Sequence, residues 1–174
     1  MDRRIEKTRQ GIRNAFMAAR AKKPLEKLTV KEICQAAQIN KSTFYVHYRD
    51  IYDLSDKIES EIISSIVNSV ENAEFFFDDP KCFTESLSEA YAAHDSLIST
   101  IFSGTRSERL PEKIEEVLKG ILFSKHPEYK NIPEKNVLLT YCVYGGYFAY
   151  IKSLKYGEKN LIGFIGDLSE RLVK

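Results

Sequence analysis

The sequence predicts an all-α protein, and three observations carry that expectation. Apolar residues recur at three- and four-residue spacing through most of the chain. No stretch alternates apolar and polar residues as a half-buried strand would. Proline and glycine fall at intervals that cut the chain into pieces of helical length. The 174 residues are 43% hydrophobic, enough to bury a core.

Taken in order, residues 3–22 carry Ile5, Ile12, Phe16 and Ala19 on a helical stripe, and Pro24 ends that helix. Thr29-Val30-Lys31-Glu32 is a capping box. It opens a helix of about nine residues expected to bury Val30, Ile33, Ala36 and Ala37. Gln38-Ile39-Asn40 breaks it, and Asn40 is placed to cap a second short helix over 41–48. Asp50 and Asp53 start a long helix expected to reach Phe77, with Leu54, Ile58, Ile62, Ile66 and Val70 inside. Further helices are predicted at 81–103, 111–124, 134–156 and 158–173. Pro80, Gly104, Pro111, Pro127, Pro133 and Gly157 punctuate them.

The formal charge of +1 hides a division. Residues 1–50 hold 12 Lys/Arg and 5 Asp/Glu, a net +7; residues 51–174 hold the other 14 and 20, a net −6. A basic head (1–50) on an acidic body (51–174) points to a polyanionic partner for the head. No apolar run approaches the roughly 18 residues of a membrane span. The basic N-terminus lacks the apolar stretch of a secretion signal. Cys34, Cys82 and Cys142 are odd in number and far apart, as expected of free thiols in a reducing, cytoplasmic setting. The histidines are scattered, and neither a Gly-rich phosphate loop nor metal-ligand spacing is present. Neither an enzyme, a metal nor a cofactor is expected.

Two short helices joined by a tight turn in a basic segment describe a helix-turn-helix. On the second helix Phe44 and Tyr48, four residues apart, share a face and should be core, with Ile39, against Phe16 and Ile33. The opposite face centres on Val46, flanked by Ser42 and Thr43. Tyr45 and His47 project from its edges, and Lys41 sits at the N-terminal tip. Such a face suits the major groove. Short hydroxyls allow close approach to base edges, valine can meet a thymine methyl, and lysine can reach a guanine or a phosphate. Tyr45 and His47 can bond phosphate oxygens at the rims, and Thr29 can do so at the start of its helix.

Residues 28–54, "LTVKEICQAAQINKSTFYVHYRDIYDL", resemble the DNA-binding signature of the tetracycline-repressor (TetR) family of transcription regulators. "TRQGIRNAFMAA" resembles that family's first helix. The resemblance covers residues 5 to 58. It implies an N-terminal three-helix helix-turn-helix domain followed by a helical ligand-binding and dimerisation domain. It implies DNA contacts from Thr29, Lys41, Ser42, Thr43, Tyr45, Val46 and His47. One position departs: the family's phosphate-gripping lysine is Ile51 here, leaving Arg49, or Arg3, Arg4 and Lys7, to compensate.

A helix of about eight residues reads only a few base pairs, so two copies and a palindromic operator are expected. The dimer surface is expected in the last two helices, from Gly145, Phe148, Leu161, Ile165, Leu168 and Leu172. Gly145-Gly146 is read as a close helix crossing. Tyr91, His94, Phe102, Tyr141, Tyr144 and Tyr147 are candidates for binding a small hydrophobic or aromatic effector. The leading expectation is a homodimeric repressor released by that effector. The alternative is a regulator or coactivator whose body binds a protein.

Overall fold

The computed structural model describes residues 3–70 and 73–174, with side chains at 158–160 excepted. The described residues form nine α-helices and no strand. They are α1 (Arg3–Arg20), α2 (Val30–Ala36), α3 (Lys41–His47), α4 (Ile51–Ser69), α5 (Pro80–Ala93), α6 (Asp95–Ile101), α7 (Arg109–Lys125), α8 (Pro133–Ser153) and α9 (Glu158–Val173). Short 3₁₀ turns link several of them. Among the described residues no helix is long and apolar enough to cross a membrane.

Several boundaries differ from expectation for physical reasons. The long fourth helix ends at Ser69, and the backbone tightens to a 3₁₀ turn at Ala73–Phe75, short of Phe77. The helix expected over 81–103 is two, because His94 (φ −114°, ψ 12°) leaves the helical region and α6 restarts on Asp95. Helix α7 begins before Pro111, since a proline in the first turn lacks only an N–H that has no intrahelical acceptor. Asp79 caps α5 by accepting from the Cys82 N–H (3.1 Å), with Pro80 at the first position. Gly157, at φ 99°, turns the chain from the end of α8 into α9.

The chain forms two compact units. The first comprises Met1–Glu61 with Ser96–Ser107, so it holds α1–α3, the first turns of α4, α6 and the turn after it. Its core contains Ile12, Phe16, Leu25, Ile33, Phe44, Leu54, Ile58 and Ile101. Ile5 is exposed and stands off the expected stripe. In α2 the buried residues are Ile33 and Cys34; Val30 and Ala37 are half-buried and Ala36 is exposed.

A polar knot also lies inside this unit. Glu59 is fully buried and accepts both Arg106 Nε (2.8 Å) and Arg106 Nη2 (2.6 Å), with Ser55 Oγ donating at 2.6 Å. Arg20, also buried, donates to the Lys23 carbonyl (3.1 Å), the Ile101 carbonyl (2.8 Å) and Ser103 Oγ (2.9 Å). Burial lowers the Arg20 pKa, and Glu26 and Glu59 oppose that shift.

The second unit comprises Ile62–Asp95 with Glu108–Lys174. Within it α9 packs on α5 and α8, and α7 packs on α8. The close approach is at Gly166, where a Cβ would lie 3.2 Å from Lys81 Cγ and 3.4 Å from Glu85 Cγ. Lys81 adds an ion pair to Asp167 at 2.6 Å. Gly145 and Gly146 are not tight within the chain. A Cβ would meet Tyr141 of the same helix at 3.9 Å and Ile165 at 3.6 Å respectively.

Removing Arg106 strands a fully buried carboxylate. Arg106→Met is expected to lower unfolding free energy by about 3–5 kcal/mol, read from urea denaturation. Glu59→Leu combined with Arg106→Met removes both charges and is expected to recover most of the loss. A double variant as unstable as the single one would show that packing, not the stranded charge, sets the cost.

Candidate nucleic-acid interface

Helix α2 begins with the capping box read from sequence. Thr29 Oγ1 accepts from the Glu32 N–H (3.3 Å), and Glu32 Oε2 accepts from the Thr29 N–H (3.0 Å). The Thr29 hydroxyl also donates to Glu32 Oε2 (3.1 Å), while Glu32 Oε1 accepts from Lys23 Nζ (2.6 Å). Thr29 is therefore committed to Glu32 in this state. Those bonds, with Lys23 first, hold the Glu32 carboxyl below its ordinary pKa.

The turn after α2 is a Schellman closure. The Gln38 N–H donates to the Gln35 carbonyl (3.2 Å), and the Ile39 N–H donates to the Cys34 carbonyl (3.0 Å). Gln38 sits at φ 55°, the only non-glycine with positive φ among the described residues. Asn40 occupies the N-cap of α3 with an extended backbone, but its side chain makes no capping bond, contrary to expectation. Its carbonyl accepts from the Phe44 N–H at 3.2 Å.

Helix α3 presents two different faces. Phe44 and Tyr48 are buried with ring centroids 5.5 Å apart. On the other side Val46 is 78% exposed and Tyr45 is 55% exposed, the latter edge-on to Phe44 at 5.6 Å. Lys41 and Ser42 are exposed; Thr43 and His47 are half-buried. At this exposure Val46 contributes little burial to the fold.

The junction from α3 to α4 holds the charges that flank this face. Asp50 Oδ1 caps α4 by accepting from the Asp53 N–H (2.8 Å). Asp53 Oδ2 accepts from the Arg49 N–H (3.0 Å) and Lys57 Nζ (3.0 Å), and Arg49 Nη2 reaches Asp53 Oδ1 at 3.3 Å. The Arg49 N–H is the first cause holding the Asp53 carboxyl below its ordinary pKa; Lys57 adds to it. Lys57 Nζ also donates to the His47 carbonyl (3.1 Å) and lies 5.1 Å from the Tyr48 ring centre. Sequence reasoning missed Lys57, although its spacing of four from Asp53 was a usable signal. Ile51 is 8% exposed, so its side chain serves the core.

No family model and no curated protein matches the chain.

Among the residues expected to bind an effector, the structure brings Tyr91 and Tyr147 together. Tyr91 meets Tyr150 edge-on at 5.8 Å. Burial first, then Tyr147 and Asp95, push the Tyr91 hydroxyl up to about 12. Burial also raises Tyr147. Tyr144 faces other company: burial raises its pKa first, then Glu115, Glu112 and Glu116 on α7. His94 is exposed, its Nδ1–H donating to the Ala90 carbonyl (2.8 Å), and Tyr141 is exposed. Phe102 is buried in the first unit. The five in the second unit do not form one wall.

The residues expected at a dimer surface also divide. Phe148, Leu168 and Leu172 are exposed, Gly145 is exposed and Leu161 is half-buried. Ile165 is 6% exposed and belongs to the core of the chain, against the expectation. The outward residue of that turn is Phe164, 60% exposed. With Val137, Tyr141 and Ile151 on α8, these residues leave large apolar side chains exposed on both helices.

The turn offers a direct test of what aims α3. A left-handed conformation costs a non-glycine residue roughly 1 kcal/mol or more. Gln38→Gly is therefore expected to raise the unfolding free energy by about 0.5–1 kcal/mol, measured by urea denaturation. A loss of stability would mean that the Gln38 side chain contributes more than its backbone strain costs.

Proposed function

We propose that the chain is a TetR-like, sequence-specific DNA-binding transcription regulator that acts as a homodimer. The observation that carries this reading is Val46 at 78% exposure on the face of α3 opposite buried Phe44 and Tyr48. An exposed apolar residue flanked by Ser42, Thr43 and Lys41 suits base-edge contact. Tyr45 and His47 at the edges would bond phosphates and set register. Thr29 would join them only by exchanging its Glu32 hydroxyl bond for a phosphate bond. In this reading α2 and α3 are the helix-turn-helix and α3 enters the major groove.

The second copy is supported by the exposed side chains of Val137, Tyr141 and Phe148 on α8 and Phe164, Leu168 and Leu172 on α9. Two such faces would pack as a four-helix arrangement, with exposed Gly145 allowing close approach. Regulation by a small aromatic molecule, with release from a palindromic operator, is the mode we favour. The half-buried pair Tyr91 and Tyr147 supports it.

Selection of duplexes from a random pool tests the DNA reading. The expected product is an inverted repeat with half-sites at least one helical turn apart, about 34 Å. Val46→Ala is expected to change base preference at one or two positions of each half-site, at about 1 kcal/mol per position. Unchanged preference at every position would remove Val46 from the reading face.

The dimer is tested by Phe164→Asp with Leu168→Asp, which leaves the protomer core intact. Sedimentation should shift the protein from dimer to monomer, because the charges would be buried unpaired. A variant that remains dimeric would place the interface elsewhere. A wild-type protein that is monomeric would favour a different protein as the occupant of this face.

A further inference from the structure

The C-terminal end of α3 is an unfavourable place for a DNA phosphate. It carries the negative end of the helix dipole and the last-turn carbonyls. Asp50 and Asp53 follow within a few residues. The first turn of α4 offers no cation from Ile51, whose side chain is buried. Yet His47 and Arg49, at this same end, flank the exposed face. Something must offset the local negative potential if a phosphate is to sit there.

Lys57 is built to do so. It belongs to the second turn of α4, and its side chain runs back toward α3. Its ammonium group donates to the His47 carbonyl at 3.1 Å and to Asp53 Oδ2 at 3.0 Å. An ammonium has three donors, so one N–H is left after these two. The side chain is 47% exposed, whereas Asp53 is 10% exposed and also accepts from the Arg49 amide and guanidinium. Arg49 and Lys57 together balance Asp50 and Asp53, and without Lys57 the rim would carry a net negative charge. The Tyr48 ring, 5.1 Å from the ammonium, and the two acceptors restrict the lysine. Little side-chain entropy would remain to be lost on binding.

Resting on the proposed DNA reading, we infer that Lys57 is a phosphate-binding residue, lent by α4 to the C-terminal rim of α3. It takes a backbone phosphate oxygen with its third N–H and carries no base information. A purely structural role, closing the carbonyl end of α3, would weaken DNA binding without changing how it responds to salt.

Salt dependence separates the two roles. Wild-type protein, Lys57→Gln and Lys57→Arg are titrated by fluorescence anisotropy against a wild-type-selected duplex and a random-sequence duplex. Salt runs from about 50 to 200 mM. Circular dichroism and urea denaturation check folding. If glutamine disturbs it, Lys57→Met keeps the stem on Tyr48 and gives the same readout. Lys57→Gln is expected to weaken both duplexes alike, roughly three- to tenfold per head. It should also reduce the slope of log K against log salt by about 0.9 per head. Lys57→Arg is expected to restore the slope. Weaker binding with the wild-type slope, or no weakening, overturns the inference and leaves the DNA reading standing. A wild-type protein that binds neither duplex overturns both.

Discussion

The buried carboxylate of Glu59 is the constraint on which the first unit depends. An isolated ionised group at that depth is not tolerable, so Glu59 needs its partners before the unit can close. Arg106 supplies a two-pronged bond and Ser55 supplies a third donor. Arg106 lies 47 residues away in sequence, so this bond fastens the Ser96–Ser107 segment to α4. Arg20 does the same from α1, through the Ile101 carbonyl and Ser103. Such a knot adds little net stability over an apolar core of equal volume. By holding the third turn of α4 it positions that helix as a whole, including its start.

That start position decides where α3 points. Only residues 48–50 separate the two helices. Tyr48 is buried, Asp50 caps α4, and Lys57 bonds the last carbonyl of α3. A rotation of α4 would therefore be passed to α3 through a side chain, a ring and a cap, rather than absorbed by a loose link. The proposed regulation requires this stiffness. An effector acts on DNA affinity only through unequal affinity for two arrangements, and a slack joint would dissipate the difference. A tenfold loss of operator affinity needs about 1.4 kcal/mol of such coupling.

The legible features were local. The capping box at Thr29, the burial of Phe44 and Tyr48 and the exposure of Val46 all follow from residues within one or two turns of each other. The illegible ones were not. Nothing near Glu59 in sequence names Arg106 as its partner. The stripe on α9 failed for a subtler reason. Spacings of three and four both return to the same side of a helix, so Leu161 leads equally to Phe164 or Ile165. Contact with Gly146 on α8 chooses between them, taking Ile165 inward. The aromatic residues of α8 likewise all suit one wall on paper, yet Tyr144 meets the acids of α7 while Tyr147 meets Tyr91. Asn40 has a capping residue's chemistry and an extended backbone, yet its side chain makes no capping bond.

The charge of the head needs the same distinction between sequence and structure. A net +7 over residues 1–50 suggests a uniformly attractive surface, but its cations are not equivalent. Arg20 is consumed in the core and cannot reach a ligand. Arg9 and Arg13 share Glu61, at 3.4 and 2.5 Å, and Lys23 is paired with Glu32. These last pairs are solvent-exposed, and exposed pairs contribute about 1 kcal/mol or less. A phosphate could therefore recruit Arg9, Arg13 or Lys23 at small cost, as counterion exchange with a polyanion requires. In the proposed DNA reading, Glu61 and Glu32 would hold these side chains in order until a phosphate replaced them. The basic surface available to a polyanion is set by which pairs are weak enough to exchange, and buried Arg20 adds nothing to it.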